Sequence, residues 1–222
     1  MRLFNILTIA LLFAITSCSN EGESKEQEGD SAPKSQVKGA DLNIPEGTYS
    51  LTKGNSVIVW SAEKINGSRH VGTMTPSIGK IKIEGGVLTS GMITINMDSF
   101  TCTDLEGESR ENFDEHLKSE DFLDVEKYPV ADVKIIGVKD RGDELIAAIK
   151  LQLHGGTEIY EAPITTKKIQ LEGGGTAYEI SGEFFLDRTN HKIIYGSGSF
   201  FDDLGDRAIK DEVLLTFTFV AV

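Results

Sequence analysis

The alternation of apolar and polar positions divides the chain into three parts. Residues 3–15 form a nearly unbroken apolar run, interrupted at Asn5 and Thr8. From Ser19 to about Asp41 the chain is Gly, Ser, Glu and Lys with only Ala32, Val37 and Ala40 to bury, too little for a core. Beyond Asp41 the period becomes two, the signature of strands with one buried face. Residues 56–61, 78–84, 92–100, 130–138, 145–153, 158–170, 177–186 and 213–220 read as strands, with one slip near Gly79. Gly85-Gly86, Gly155-Gly156 and Gly173-Gly174-Gly175 supply turns between them. The longest apolar row is Leu145, Ala147, Ile149, Leu151 and Leu153, whose opposite face carries Lys150, Gln152 and His154; the last strand sends Leu215, Phe217 and Phe219 inward.

One stretch breaks the two-residue period. In FDEHLKSEDFLDVEKYP, residues 113–129, Phe113 and Leu117 lie one helical turn apart, and Asp114 and Lys118 are spaced to pair at i,i+4. Ser109 is a candidate N-cap, and Tyr128-Pro129 returns the chain to extended geometry. This predicts a short amphipathic helix from Ser109 to about Asp124. Too short to stand alone, it must bury Phe113, Leu117, Phe122 and Leu123 against a sheet or over a barrel mouth. The fold class is therefore all-β: about eight antiparallel strands with a helical insert, closed as a barrel or stacked as a sandwich, two outcomes that periodicity does not separate.

The same stretch carries a resemblance. Residues 116–129, HLKSEDFLDVEKYP, are similar to the HL-x-S-x-DFFD-x-x-x-YP signature of the YceI-like family, with Leu123 in place of the second Phe. Leu151-Gln152-Leu153-His154-Gly155 resembles that family's L-x-LHG strand end, and Phe185-Leu186-Asp187-Arg188-Thr189 with Ile209-Lys210-Asp211-Glu212-Val213 resembles its closing strands. The matches run in family order from about Tyr49 to Ala221. The resemblance implies a lipocalin-like barrel of an envelope protein that holds a polyisoprenoid-type lipid. It implies that the lumen is a cavity, with the helix as its cover and Phe185 and Arg188 near the ligand. On that expectation Phe113, Leu117, Phe122, Leu145, Ala147, Ile149, Leu151, Leu153, Phe185, Arg188 and Phe217 contact ligand.

The amino-terminal part bears on address. Arg2 followed by the apolar run reads as a secretion signal, short for a membrane span. Ile15-Thr16-Ser17-Cys18 has the order of a bacterial lipoprotein cleavage site, so Cys18 is expected to carry a diacylglycerol anchor. The expected organisation is a signal peptide over 1–17, a tether over 18–41 and one barrel domain over 42–222. Glu21, Glu23, Glu26, Glu28 and Asp30 resemble the acidic stretch that sends Bacteroidota lipoproteins to the cell surface; a plain solvated linker fits them equally. The expected location is the cell envelope, on the outer membrane, with its face left open.

Charge and chemistry narrow the function classes. The formal charge is −13, and loss of Arg2 with the signal makes the mature chain one unit more negative, so nucleic acid is a poor partner. With Cys18 acylated, Cys102 has no partner and reads as a buried, inert thiol. His70, His116, His154 and His191 show no metal-ligand spacing and read as unrelated surface or rim residues. Gly67-Ser68-Arg69-His70 is either a solvated turn or a rim corner for an anionic head group. No nucleophile elbow, phosphate loop or dinucleotide fingerprint is present. The expectation is a lipid-binding protein, not an enzyme, with no cofactor beyond the lipid and no metal. A solid barrel serving as an interaction module is the second reading, an enzyme with a barrel pocket the third; monomer and dimer both stay open.

Overall fold

The structure is a computed structural model that describes residues 39–222. The expected signal peptide, the acylated Cys18 and nearly all of the tether lie outside the described residues. Nine strands form one antiparallel sheet: β1 (Gly47–Ser50), β2 (Val57–Glu63), β3 (Arg69–Glu84), β4 (Val87–Cys102), β5 (Val130–Asp140), β6 (Leu145–Leu153), β7 (Gly156–Gln170), β8 (Thr176–Asp187) and β9 (Glu212–Ala221). Pairing of β3 with β4 closes β2 to β9 into an eight-stranded barrel. Closure, left open by periodicity, follows from these two strands of 16 residues, which are long enough to bend through bulges and pair with both neighbours.

β1 continues the line of β2. It pairs with the far half of β3, and Leu51 bridges Ala221 of β9. All eight expected strands are present, but β3 starts nine residues before Ile78 and takes in Arg69 and His70. Its early part, RHVGTMTPS, has a weak alternation that hides the strand. Gly85 and Gly86, both at positive φ, make the tight turn that twists with the β3–β4 hairpin.

One end of the barrel is plugged. Residues 40–44 alternate Ala40, Leu42 and Ile44 inward, all buried. The Ala40 N–H donates to Val138 O and the Leu42 N–H to Gly86 O, so two residues assigned to the tether, Ala40 and Asp41, belong to the fold. The other end carries the long connections. β4 leads into α1 (Gly107–Lys118), and β8 leads into an irregular segment, 188–211, with two single-turn 3-10 helices.

α1 departs from expectation in three ways. It starts after Glu106 without a side-chain cap, and it stops at Lys118, beyond which 119–127 fold into tight turns around Asp124 at positive φ. Asp114 and Lys118 do not pair with each other: Asp114 accepts from the Cys102 N–H (2.7 Å) and Thr101 hydroxyl (2.6 Å), and Lys118 donates to Asp98 O (2.6 Å). No residue of α1 is fully buried, and of the four expected anchors only Leu123 is. The helix is held onto β4 by these polar bonds and by the half-buried Phe113 and Leu117, which pack on the core.

Two large rings lie flat on the barrel wall because glycines face them. Trp60 pairs with Gly72 and Phe217 with Gly182 across neighbouring strands. A Cβ on Gly72 would run into Thr101 O and the Trp60 ring. Gly72→Ala is therefore expected to destabilise by about 2–4 kcal/mol through overpacking against rigid backbone, measured as the shift of the urea midpoint; a change under about 0.5 kcal/mol would show that the wall yields.

Candidate functional site

The inward rows of the eight strands leave a lumen of about 150 Å³ that presents an apolar surface. A cavity of this size lined by aliphatic and aromatic side chains stays dry and holds an apolar guest about as large as benzene. Of the residues expected to touch ligand, Ala147, Ile149, Leu151, Leu153, Phe217, Leu117, Phe122 and Arg188 line it. Ile58, Trp60, Met74, Ile81, Ile93, Ile95, Met97 and Phe100 line it as well. Their alternation in β2, β3 and β4 is legible in the sequence, yet it reads equally as solid core.

Three expected ligand residues lie elsewhere. Phe185 is 62% exposed and points outward; its neighbour Phe184 lines the lumen. Parity decides this: Ile180, Gly182, Phe184 and Leu186 share the face that meets Leu215 and Phe217, so Phe185 takes the other face. Leu145 opens β6 at the plugged end and is half-buried off the lumen. Phe113 lines a second, smaller cavity of about 100 Å³ between α1 and the β2–β3 turn.

That second cavity is a vestibule. It shares Trp60, Ala62, Leu117, Phe122 and Ile209 with the lumen, and its outer rim is Glu63, Lys64, Ser68 and His70. The Gly67–His70 corner thus sits beside the mouth. Glu63 is paired with Lys210 at 2.8 Å, while the His70 ring packs on Phe113 with centroids 4.5 Å apart. Trp60 stands between the two spaces, and its Nε1 is the one buried side-chain nitrogen or oxygen without a partner among the described residues. An orphaned donor of this kind costs about 1–3 kcal/mol.

Arg188 is the charged group of the lumen wall. Only 4% exposed, it sends all its donors to the 188–211 segment: Nε to Lys210 O (3.1 Å), Nη1 to Ile193 O (2.8 Å) and Tyr195 O (2.9 Å), and Nη2 to Ile209 O (3.1 Å) and Asp211 Oδ1 (3.4 Å). The guanidinium has nothing left to offer a head group. Its contribution to the lumen is its stem, and its contribution to the mouth is to fix the loop.

His191 and the group around Cys102 were not foreseen. His191, fully buried, donates from Nδ1 to Leu153 O (3.3 Å), which leaves Nε2 to accept from the Tyr160 hydroxyl (2.8 Å); His154 donates to His191 O (3.0 Å). His154 and His191 are therefore joined, not scattered. Burial pushes Tyr160 up to about 12. Cys102 Sγ, His70 Nδ1 and the Asp104 carboxylate come together within 4.8 Å, the set among the described residues able to share a cation. Strands β3 and β4 unite residues too far apart in sequence to show a ligand spacing. Burial pushes Asp104 up, but bonds from Cys102, Val71 N–H and His70 outweigh it and hold the carboxyl at about 2. Burial and then Asp104 push the Cys102 thiol up, and its partner is that carboxylate, not the imidazole. Chemically the trio ties β3 to β4; it does not activate a nucleophile.

Burial lowers the pKa of His191 against the opposing pull of the Gly156 and Leu153 backbone. Between an unfolded value of about 6.5 and its lower folded value the unfolded chain binds the extra proton, so stability falls as pH drops through that window and is flat above it. Melting temperature followed from pH 8 to pH 5 is expected to decline below about pH 6.5, with a shallower decline in His191→Gln; equal slopes would assign the acid loss elsewhere.

Comparison with known proteins gives the lineage of this architecture. A family model described as the YceI-like domain matches residues 49–221. A search of curated proteins returns no match. Among solved structures, Burkholderia cenocepacia BcnA is similar at 20% identity and a TM-score of 0.58, over 75% of this chain and 96% of that one. A polyisoprenoid binding domain from Saccharophagus degradans, implicated in plant cell wall breakdown, is similar at 13% identity and a TM-score of 0.53, over 78% and 97%. At these identities the likeness is one of fold.

Proposed function

The chain belongs to the YceI-like family, and from that premise we propose that it binds the apolar chain of an isoprenoid-type lipid in the barrel lumen and carries it within the cell envelope. The observation that carries this reading is the lumen with its apolar surface, adjoining across shared wall residues a vestibule whose polar residues lie at its rim. Such a path suits an amphiphile entering chain first. The Saccharophagus domain, a polyisoprenoid binder by description, has the same fold. Transfer of the lipid from water is favourable by roughly 25 cal/mol per Å² of apolar area. Since the lumen as it stands is small, a long prenyl chain needs α1 and the turns after it to give way; α1 has no fully buried side chain, and Leu123 is the buried anchor that must be displaced. The role is binding, with no chemistry on the lipid; burial and the neighbouring Asp104 carboxylate push the Cys102 thiol up, away from the reactive thiolate.

Ala147→Trp tests the lumen. It fills volume on the β6 wall with apolar atoms, so prenyl-lipid affinity in a titration is expected to fall at least tenfold with little change in melting temperature. Strong destabilisation together with a wild type that binds no prenyl lipid would instead favour the solid-barrel module.

The address is part of the same proposal: export, acylation of Cys18 and retention on the outer membrane by a tether. Cys18→Ser is expected to remain unprocessed or to shift into soluble fractions of the envelope. Unchanged membrane retention of that variant would remove the anchor from the reading.

A further inference from the structure

The exposed aromatic residues of this domain are not scattered. Among the described residues they are Phe185, Tyr195, Phe200 and Phe201, and all belong to the end of β8 or to the 188–211 segment, at the barrel's open end. Ile65, also exposed, lies at that end in the β2–β3 turn, and its N–H donates to Ala208 O. Phe200 is 56% and Phe201 46% exposed. They are presented by a pinned turn: their N–H groups both donate to the O of fully buried Ser197, and Ser199 donates to Asp211, the partner of Arg188. Two phenyl rings held in water on a braced loop need an occupant, since apolar side chains at the interface of water and hydrocarbon are stabilised there.

We propose that the open end of the barrel docks on the surface of a lipid bilayer through Phe200 and Phe201, flanked by Tyr195 and Ile65, so that lipid passes between bilayer and vestibule without crossing water. The purpose assigned to docking rests on the lipid-carrier reading; docking itself does not. Three observations select a bilayer. The rings are carried by the segment that gives Ile193 and Ile209 to the lumen wall, and Tyr195 of that segment packs on Phe122 of the wall at 4.6 Å between centroids. The opposite end is closed by the Ala40–Leu42 plug, which leaves the mouth as the way in. Asp202, Asp203 and Asp206 follow the rings directly, and this disfavours an anionic surface and selects a zwitterionic one.

Flotation of the chain beginning at Ser19, which keeps every described residue and lacks the acyl anchor, with phosphatidylcholine vesicles tests this. Wild type is expected to float, with little dependence on salt and less binding when anionic lipid is added. Phe200→Ser with Phe201→Ser is expected to lower the bound fraction about tenfold and to slow prenyl-lipid transfer from vesicles, while equilibrium uptake from detergent and the melting temperature stay unchanged. Ile78→Ser with Ile136→Ser, exposed positions on the barrel side, serves as the control and is expected to change nothing. Equal flotation of all three overturns the proposal. So does absence of flotation with self-association that the Phe variant abolishes, which would make the face a contact between copies. Flotation without any uptake of prenyl lipid would uphold docking and sink the carrier reading.

Discussion

Closing eight strands on themselves leaves each side chain two directions, and that constraint sets almost everything else in the molecule. Inward rows must be apolar because no water reaches them, and an eight-stranded barrel is just narrow enough for those rows to fill it. Here they do not. Trp60 lies over Gly72 and Phe217 over Gly182, so two of the largest rings spend their volume along the wall. Ala147 and Ala162 face each other across β6 and β7, and Ala131 is small near the far end of β5. The lumen exists because glycine and alanine stand where larger residues would meet in the middle.

The mouth obeys a second constraint, the burial of one charge. A guanidinium removed from water costs several kcal/mol unless every donor is met. Arg188 meets this by gathering the carbonyls of Ile193, Tyr195, Ile209 and Lys210 with the Asp211 carboxylate. A segment of some twenty residues with little regular structure is thereby drawn around one point. The aromatic turn it carries is rigid for that reason, and Phe200 and Phe201 remain outside although apolar burial would favour folding them in.

Much of this was legible in the alternation of the sequence. All eight barrel strands, the helical insert, and the lumen rows of β6 and β9 follow from period-two and period-3.6 patterns that tertiary packing did not override. What escaped has physical causes. Adjacent Phe184 and Phe185 are equivalent to any motif, and only the parity set by Ile180 and Leu186 tells them apart. The donor count of Arg188 could not be read, since its partners lie up to 23 residues away in an irregular segment. The burial of His191 depends on Leu153 and Tyr160, on strands two and one removed from the β8 it follows. Barrel against sandwich was undecidable from period alone; the closing β3–β4 pairing is a long-range fact.

The two ends of the barrel differ in what holds them, and magnitudes decide which one opens. At the plug, Ala40, Leu42 and Ile44 are buried, and Ala40 and Leu42 are backbone-bonded to Val138 and Gly86; releasing three such side chains exposes apolar surface worth several kcal/mol. At the mouth, α1 is tied by the Asp114 bonds to β4 and by Lys118 to Asp98, a pair in which Asp98 is largely exposed. Such an exposed ion pair contributes about 0–1 kcal/mol and a typical hydrogen bond about 1 kcal/mol. Displacing α1 also exposes the half-buried Phe113 and Leu117 that pack on the core, yet it leaves every strand pair in place, whereas displacing a barrel strand unravels closure. Local opening favours segments with few buried contacts; no residue of α1 is fully buried, and α1 covers the end that, among the described residues, leads to the lumen.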